Sequence, residues 1–299
     1  MSSVAAEPSA KPVPLIVVGM NRSGTKWLSN ILCNHPEVAG IQSPLHTGIL
    51  ETNFFGTMQR IFGEELPVDH YVGLVEMWAQ SDFFKAAGVE KEFFYALRPR
   101  PTGPLQLFVT LMEEVARRRR ARYWLQKSSP LMASEILAQL PPSRVIVTRR
   151  SALPLLESTV RLRRDLGEPI SAIRAAAIFA LEDKILGQIE RGANALATSY
   201  ERIENAPEAE ASRLCAALGL AYDPMLLRVP FDRNTSFQRA GEREQVFSEL
   251  ERLAIRGSIA AARMIPFAPL RWLWDRLRKG DTHLVEGTFR EIIQRHDLR

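Results

Sequence analysis

The sequence is poor in the features that mark several common protein classes. It has two cysteines, Cys33 and Cys215, in 299 residues, too few for a disulfide scaffold. Both fall in apolar stretches with helical spacing and read as buried free thiols. The five histidines are scattered, no His, Cys and acidic cluster has metal-ligand spacing, and no metal is expected. No apolar run reaches the length of a bilayer span. The first fourteen residues lack the apolar core of a secretory signal. No internal repeat and no clean domain boundary is visible. The expectation is a cytoplasmic protein with residues 1–13, rich in Ala, Ser and Pro, disordered, and one domain over 14–299.

Hydrophobic residues make up 46% of the chain and charged residues 24%, ample for a globular core. The formal charge is +5 and the pI about 9.4. This balance favours an anionic ligand or an acidic acceptor and is too mild to argue for nucleic acid.

The most informative stretch runs from Leu15 to Leu32. Leu15-Ile-Val-Val18 is a short β-branched run, and Pro12 and Pro14 bound it upstream. Gly19 and Gly24 bracket a polar loop. Trp27, Leu28, Ile31 and Leu32 then recur at helical spacing. A loop between a strand and a helix N-terminus presents unpaired N–H groups and the positive end of a dipole, which suits a phosphate. Arg22 and Lys26 add charge there. The loop departs from G-x-x-x-x-G-K-[ST] at its last two positions: Thr25 stands where the lysine belongs, and Lys26 comes one residue late. One helical residue is about a hundred degrees of rotation, so Lys26 points elsewhere than the lysine of that motif.

Further along, Ala39-Gly-Ile-Gln42 reads as a second strand, Tyr123-Trp-Leu-Gln-Lys127 as a third, Arg144-Val-Ile-Val-Thr148 as a fourth and Ala195 to Tyr200 as a fifth. Helical patterns lie between them. Residues 50–122 form a helical insert on the acceptor side, with aromatic pairs at Phe54-Phe55, Phe83-Phe84 and Phe93-Phe94. The run Arg117-Arg-Arg-Arg120 with Arg122 reads as a solvated helix end or as a basic rim for an anionic acceptor. Residues 240–299 form a helical basic tail. Alternating strands and helices predict an α/β fold: a P-loop-like, three-layer α/β/α arrangement with a central parallel sheet of about five strands and helical insertions. In such a sheet ligands bind beyond the carboxyl ends of the strands. The loop from Gly19 to Lys26, Lys127, Arg149-Arg150 with Ser158, and Tyr200 all fall there.

Arg22-Ser-Gly-Thr-Lys-Trp-Leu28 resembles the 5′-phosphosulfate loop of sulfotransferases that use 3′-phosphoadenosine 5′-phosphosulfate (PAPS). Val145 to Ser158 is similar to their 3′-phosphate segment, an Arg at a strand end and a Ser eight positions on, which selects Arg150 with Ser158. Ala152 stands where that segment usually has Pro. Lys127-Ser-Ser-Pro130 and Tyr200-Glu-Arg-Ile203 resemble elements of the heparan and bacterial carbohydrate branches. Together the resemblance covers about residues 14–240.

The resemblance implies roles. Arg22, Ser23, Gly24, Thr25 and Lys26 hold the 5′-phosphosulfate, and Arg22 also stabilises charge on the leaving phosphate, as in the tyrosylprotein branch. Trp27 lies against adenine or is a core aromatic, and Tyr200 contacts the same base. Arg150 and Ser158 bind the 3′-phosphate, with Arg239-Ala-Gly241 a faint echo of an element closing over it. Lys127 and His46 face the acceptor. In the heparan branch a Glu and a His act two residues apart. Here Pro44 stands at the Glu position, so the base is His46 or Glu51. The implied activity is sulfuryl transfer from PAPS, leaving adenosine 3′,5′-bisphosphate (PAP), to a hydroxyl or amine of a small-molecule, carbohydrate or lipid acceptor. The alternatives are a P-loop kinase or NTPase and a non-catalytic nucleotide-binding module. The segment 263–279 mixes Trp272, Trp274 and Leu277 with basic residues and reads as a packed helix, a dimer contact or a peripheral anchor on anionic membranes.

Overall fold

The computed structural model describes residues 11–52, 54–66, 68–230, 246–269 and Trp272. The chain opens with β1 (Val13–Gly19) and α1 (Thr25–Cys33), then β2 (Val38–Gly40) and a two-residue hairpin, β3 (Gln42–Ser43) and β4 (Gly48–Ile49). The insert follows as α2 (Phe54–Phe62), α3 (Tyr71–Trp78), α4 (Asp82–Ala87), α5 (Lys91–Ala96) and α6 (Pro104–Arg118). Next come β5 (Tyr123–Ser128), α7 (Pro130–Ile136), β6 (Arg144–Arg149), α8 (Ala152–Asp165) and α9 (Ala172–Glu190). The described chain ends with β7 (Ala195–Ser199), α10 (Tyr200–Asn205), α11 (Pro207–Leu218) and α12 (Glu249–Met264).

Five strands form one parallel sheet in the order β2-β5-β1-β6-β7. β1 is central, which its uninterrupted apolar run requires, since both of its faces are covered. Leu15 and Val17 pack with α1 and α11, whereas Ile16 and Val18 pack with α2, α6, α8 and α9. The expected three layers follow. Pro14 lies inside the strand rather than upstream of it. The Val13 N–H bonds Arg122 on the β5 side, so the Pro14 nitrogen faces the other side, ahead of Leu15, the first residue paired with β6. A missing donor costs nothing there.

The aromatic residues of the insert turn inward. Phe54 stacks on Trp78 at 4.3 Å, and Phe83, Phe84 and Phe94 surround that indole. All are buried, so they form a core of the insert and not the lining of an open acceptor pocket.

The arginine run is settled by geometry. Arg117 and Arg118 pair with Glu114, Arg119 donates to the Gly40 carbonyl and Arg122 to the Gly219 carbonyl. It precedes Tyr123, the first residue of β5, and so sits at the sheet edge opposite the Gly19–Lys26 loop. The reading as a rim for an acceptor at the site does not hold. The two cysteines are free; burial pushes the Cys33 thiol up to about 12 and raises Cys215. No described helix is long and apolar enough to cross a membrane. Most of the segment 263–279 lies outside the described residues.

The β3–β4 hairpin hangs on one side chain. Asn30, buried in α1, donates to the Thr47 carbonyl at 3.1 Å and accepts from the Ile49 N–H at 2.8 Å. Gly48 has a φ of 105°, and a Cβ there would lie 2.2 Å from the Asn30 oxygen. Asn30→Ala leaves a buried N–H without a partner and is expected to lower the unfolding free energy by about 1–3 kcal/mol, measured by urea denaturation with near-wild-type m-value.

Candidate functional site

The loop after β1 is shaped before any ligand arrives. The Ser23 hydroxyl and N–H both bond to the Met20 carbonyl, at 2.8 and 3.1 Å. Ser23 therefore closes the loop on itself with a fully buried side chain. Arg22 and Gly24 take positive φ values of 72° and 86°. A Cβ on Gly19 would lie 2.5 Å from Ser23 Oγ and 2.7 Å from the Thr148 carbonyl, so the turn closes only on glycine. Gly24 caps α1 without a side-chain hydrogen bond, and the first turn carries no acidic residue. That helix end keeps its N–H groups and positive dipole available for an anion.

Two pairs of cations flank the loop. On one side Arg150 donates to the Arg22 carbonyl at 2.8 Å, and Arg22 Nε donates to Ser158 Oγ at 2.8 Å. The Arg150 guanidinium lies 4.2 Å over the Tyr200 ring, a cation–π contact, and Trp27 meets Tyr200 at 6.0 Å. Burial and then Arg150 lower the pKa of Arg22. On the other side Lys26 Nζ donates to the His46 carbonyl at 2.9 Å, and Lys127 pairs with Glu51. Burial and then Lys127 lower the pKa of Lys26. Each pair holds like charges near one another, an arrangement that a bound anion relieves.

The structure thus brings Arg22, Gly24, Trp27, Arg150, Ser158 and Tyr200 together, and Lys26, His46, Glu51 and Lys127 together, on the two flanks of one loop. Lys26 points away from the α1 axis toward His46 and Thr47, as its position one residue late requires. Arg149, one residue from Arg150, serves another purpose. Burial lowers its pKa, but Glu190 and Asp183 outweigh that and hold it above its ordinary value. It braces β6 against α9. Tyr200 does not close the fifth strand; Ser199 caps α10, and Tyr200 is its first residue. The Tyr200 hydroxyl donates to Glu204 at 3.0 Å. Arg239 lies outside the described residues.

One contact has no sequence signal. His46 Nε2 lies 3.2 Å from Asp82 Oδ2, a pairing across 36 positions from the tip of the β3–β4 hairpin to the first turn of α4. Among the described residues no group of three or more His, Cys, Asp and Glu could hold a metal ion.

Comparison with known proteins bears on this arrangement. The profile described as "Sulfotransferase family" matches residues 14–224, which takes in both cationic flanks and every strand of the sheet. The chain belongs to the sulfotransferase family. No curated protein matches it. Among solved structures, it is similar to the sulfotransferase domain of the Synechococcus PCC 7002 olefin synthase, at 16% identity over 89% of this chain and 100% of that one, with a TM-score of 0.50. It is also similar to a sulfotransferase from Alicyclobacillus acidocaldarius, at 18% identity over 88% and 100% of the two chains and a TM-score of 0.45. A mouse sulfotransferase complexed with PAP matches at 12% identity over 91% and 90%, with a TM-score of 0.44. At the first of these similarities the common ground is the fold.

In this sulfotransferase, Gly24 is the residue on which the Arg150–Tyr200 flank depends, because its φ is positive and a Cβ would lie 2.7 Å from Tyr200 Cδ2. Gly24→Ala is expected to cost about 1–2 kcal/mol from backbone strain alone and to push Tyr200 off Arg150. The checks are a lowered thermal midpoint and a changed Trp27 fluorescence.

Proposed function

We propose that this sulfotransferase moves a sulfuryl group from PAPS to a hydroxyl or amine of a small acceptor. The observation that carries the reading is the division of the cations: an Arg22–Arg150–Ser158 group on one flank of an anion-ready loop and a Lys26–Lys127–Glu51 group on the other. A donor with phosphate at both its 3′ and 5′ positions needs two separated anion sites. The loop fits the 5′ group, since it closes only on glycine at position 19 and leaves the α1 N–H groups facing outward. Arg150 and Ser158 would hold the 3′-phosphate, with Tyr200 and Trp27 beside the base.

In the transfer, a new bond forms from sulfur to the acceptor's oxygen or nitrogen as the S–O bond to the leaving phosphate breaks, and the acceptor's proton passes to a base. Charge grows on the leaving phosphate, where Arg22, the α1 N-terminus and Lys26 supply stabilisation. Arg22 acts as a fixed charge and not as a proton donor. Lys127 faces the acceptor side. For the base, Glu51 is the first assignment: its carboxylate is held by Lys127 next to Lys26, on the loop side of the hairpin. His46 is the second, favoured by Asp82, which keeps the proton on Nε2 and leaves Nδ1 as acceptor. The His46 ring is the more solvent-exposed of the two groups.

Calorimetry with PAP and adenosine 5′-monophosphate tests the nucleotide assignment. PAP is expected to bind more tightly, and Arg150→Ala to weaken PAP by about ten- to hundredfold while leaving the monophosphate nearly unchanged. Equal affinity for the two would overturn the assignment; preference for ATP with magnesium would favour a kinase or NTPase.

The base is tested by turnover of labelled PAPS with an acceptor found by screening metabolite extracts. Glu51→Gln is expected to lose about a hundredfold or more in turnover with PAP binding intact, and His46→Ala to stay within about tenfold. The reverse outcome moves the role to His46.

A further inference from the structure

Helix α12 is apolar on two faces. Its inner face buries Ile255 and Ile259 against α9. At helical spacing on the opposite face stand Leu250, Leu253, Ala254, Gly257, Ala260, Ala261 and Met264, all solvent-exposed. Leu250 is 80% exposed, Leu253 68% and Met264 85%. No charged residue interrupts that face. An amphipathic surface helix carries its charges there instead, so this face is built to be covered.

We infer that the cover is a second copy of this chain, packed antiparallel through α12 about a two-fold axis at Gly257. The order of side chains points to this occupant. α12 runs Glu249–Met264, so Gly257 sits at its middle. Reversing the helix about Gly257 sets Leu250 against Met264, Leu253 against Ala260 and Ala254 against Ala261. Each bulky end meets the other copy's bulky end, and small residues meet at the crossing, where two helices approach closely. Among the described residues nothing lies within 4 Å of the place a Gly257 Cβ would occupy, so none of them calls for a glycine there. Charge complements shape. Glu249, at 82% side-chain exposure and 3.5 Å from Arg252, and Arg263, at 60% and 3.4 Å from Asp183, stand on one flank at opposite ends. In the antiparallel pair each faces the other copy's opposite charge. Arg256 meets its own copy on that flank, which limits affinity.

A helix of this length is about 24 Å long, and one such pair buries less than the roughly 1,200 Å² of a standard interface. The dimer is therefore reversible and dissociates on dilution. The arrangement is isologous, as expected for a two-fold pair.

Sedimentation velocity of the full chain from about 1 to 100 µM is expected to show a monomer–dimer equilibrium, and Leu253→Glu, at an exposed position, a folded monomer with an unchanged thermal midpoint. Cysteine cross-linking fixes the geometry independently. Under mild oxidation Gly257→Cys is expected to form a covalent dimer with itself. Ala254→Cys alone is not, because the two copies sit about 9 Å apart along the axis, beyond disulfide reach; mixed with Ala261→Cys, which shares its flank, it is. A monomer at every concentration with no Gly257→Cys cross-link overturns the inference. So does a wild-type monomer that co-sediments with anionic phosphatidylserine vesicles and loses them on Leu253→Glu, which assigns the face to a membrane. Dimerisation only after deleting residues 273–299 overturns it as well, since the chain's own tail would then be the cover.

Discussion

Like charges held together at one loop are the constraint on which the rest of the structure depends. Arg22 and Arg150, and Lys26 and Lys127, repel within each pair, and the fold must resist that repulsion. Lys127 is held by the Glu51 carboxylate; for the other three the fold does so with backbone and neutral groups: the Arg22 carbonyl takes Arg150, Ser158 takes Arg22, and the His46 carbonyl takes Lys26. These oxygens orient the cations. Arg149, which braces β6 against α9, is held by the carboxylates of Asp183 and Glu190.

The sheet serves this arrangement. β1, β5 and β6 lie side by side, so the loop after β1, Lys127 near the end of β5 and Arg150 just beyond β6 arrive at one edge. The sequence positions are far apart, and only the parallel register, with Val17 opposite Lys127 and Gly19 opposite Thr148, makes them neighbours.

Much of this was legible in the sequence because it rests on local patterns. The apolar β-branched runs announced the strands, and the two glycines with Arg22 and Lys26 announced the loop. The eight-residue spacing to Ser158 pointed to Arg150, and Arg149 is held by Asp183 and Glu190. What was illegible depends on contacts between distant residues. Two-residue strands have no period, so the β3–β4 hairpin held by Asn30 left no trace. The His46–Asp82 contact joins elements whose packing no local pattern encodes. The paired phenylalanines looked available to an acceptor because composition cannot tell a pocket wall from a core. Tyr200 was misplaced by one element, since Ser199 ends a strand and caps a helix at once.

The bond from Arg22 to Ser158 has a mechanical meaning. It ties the loop that follows β1 to the helix that follows β6, and it exists in the protein alone. On the proposed reading, these two segments hold opposite ends of the same nucleotide, so the tie acts as a gauge block. It fixes the gap between the anion seats before the ligand comes and spares the ligand the task of drawing them together. A site of that kind loses little conformational entropy on binding and reads the distance between two phosphates as well as their charge. A nucleotide with the right charges at the wrong separation would then fill one seat and leave the other cations unrelieved.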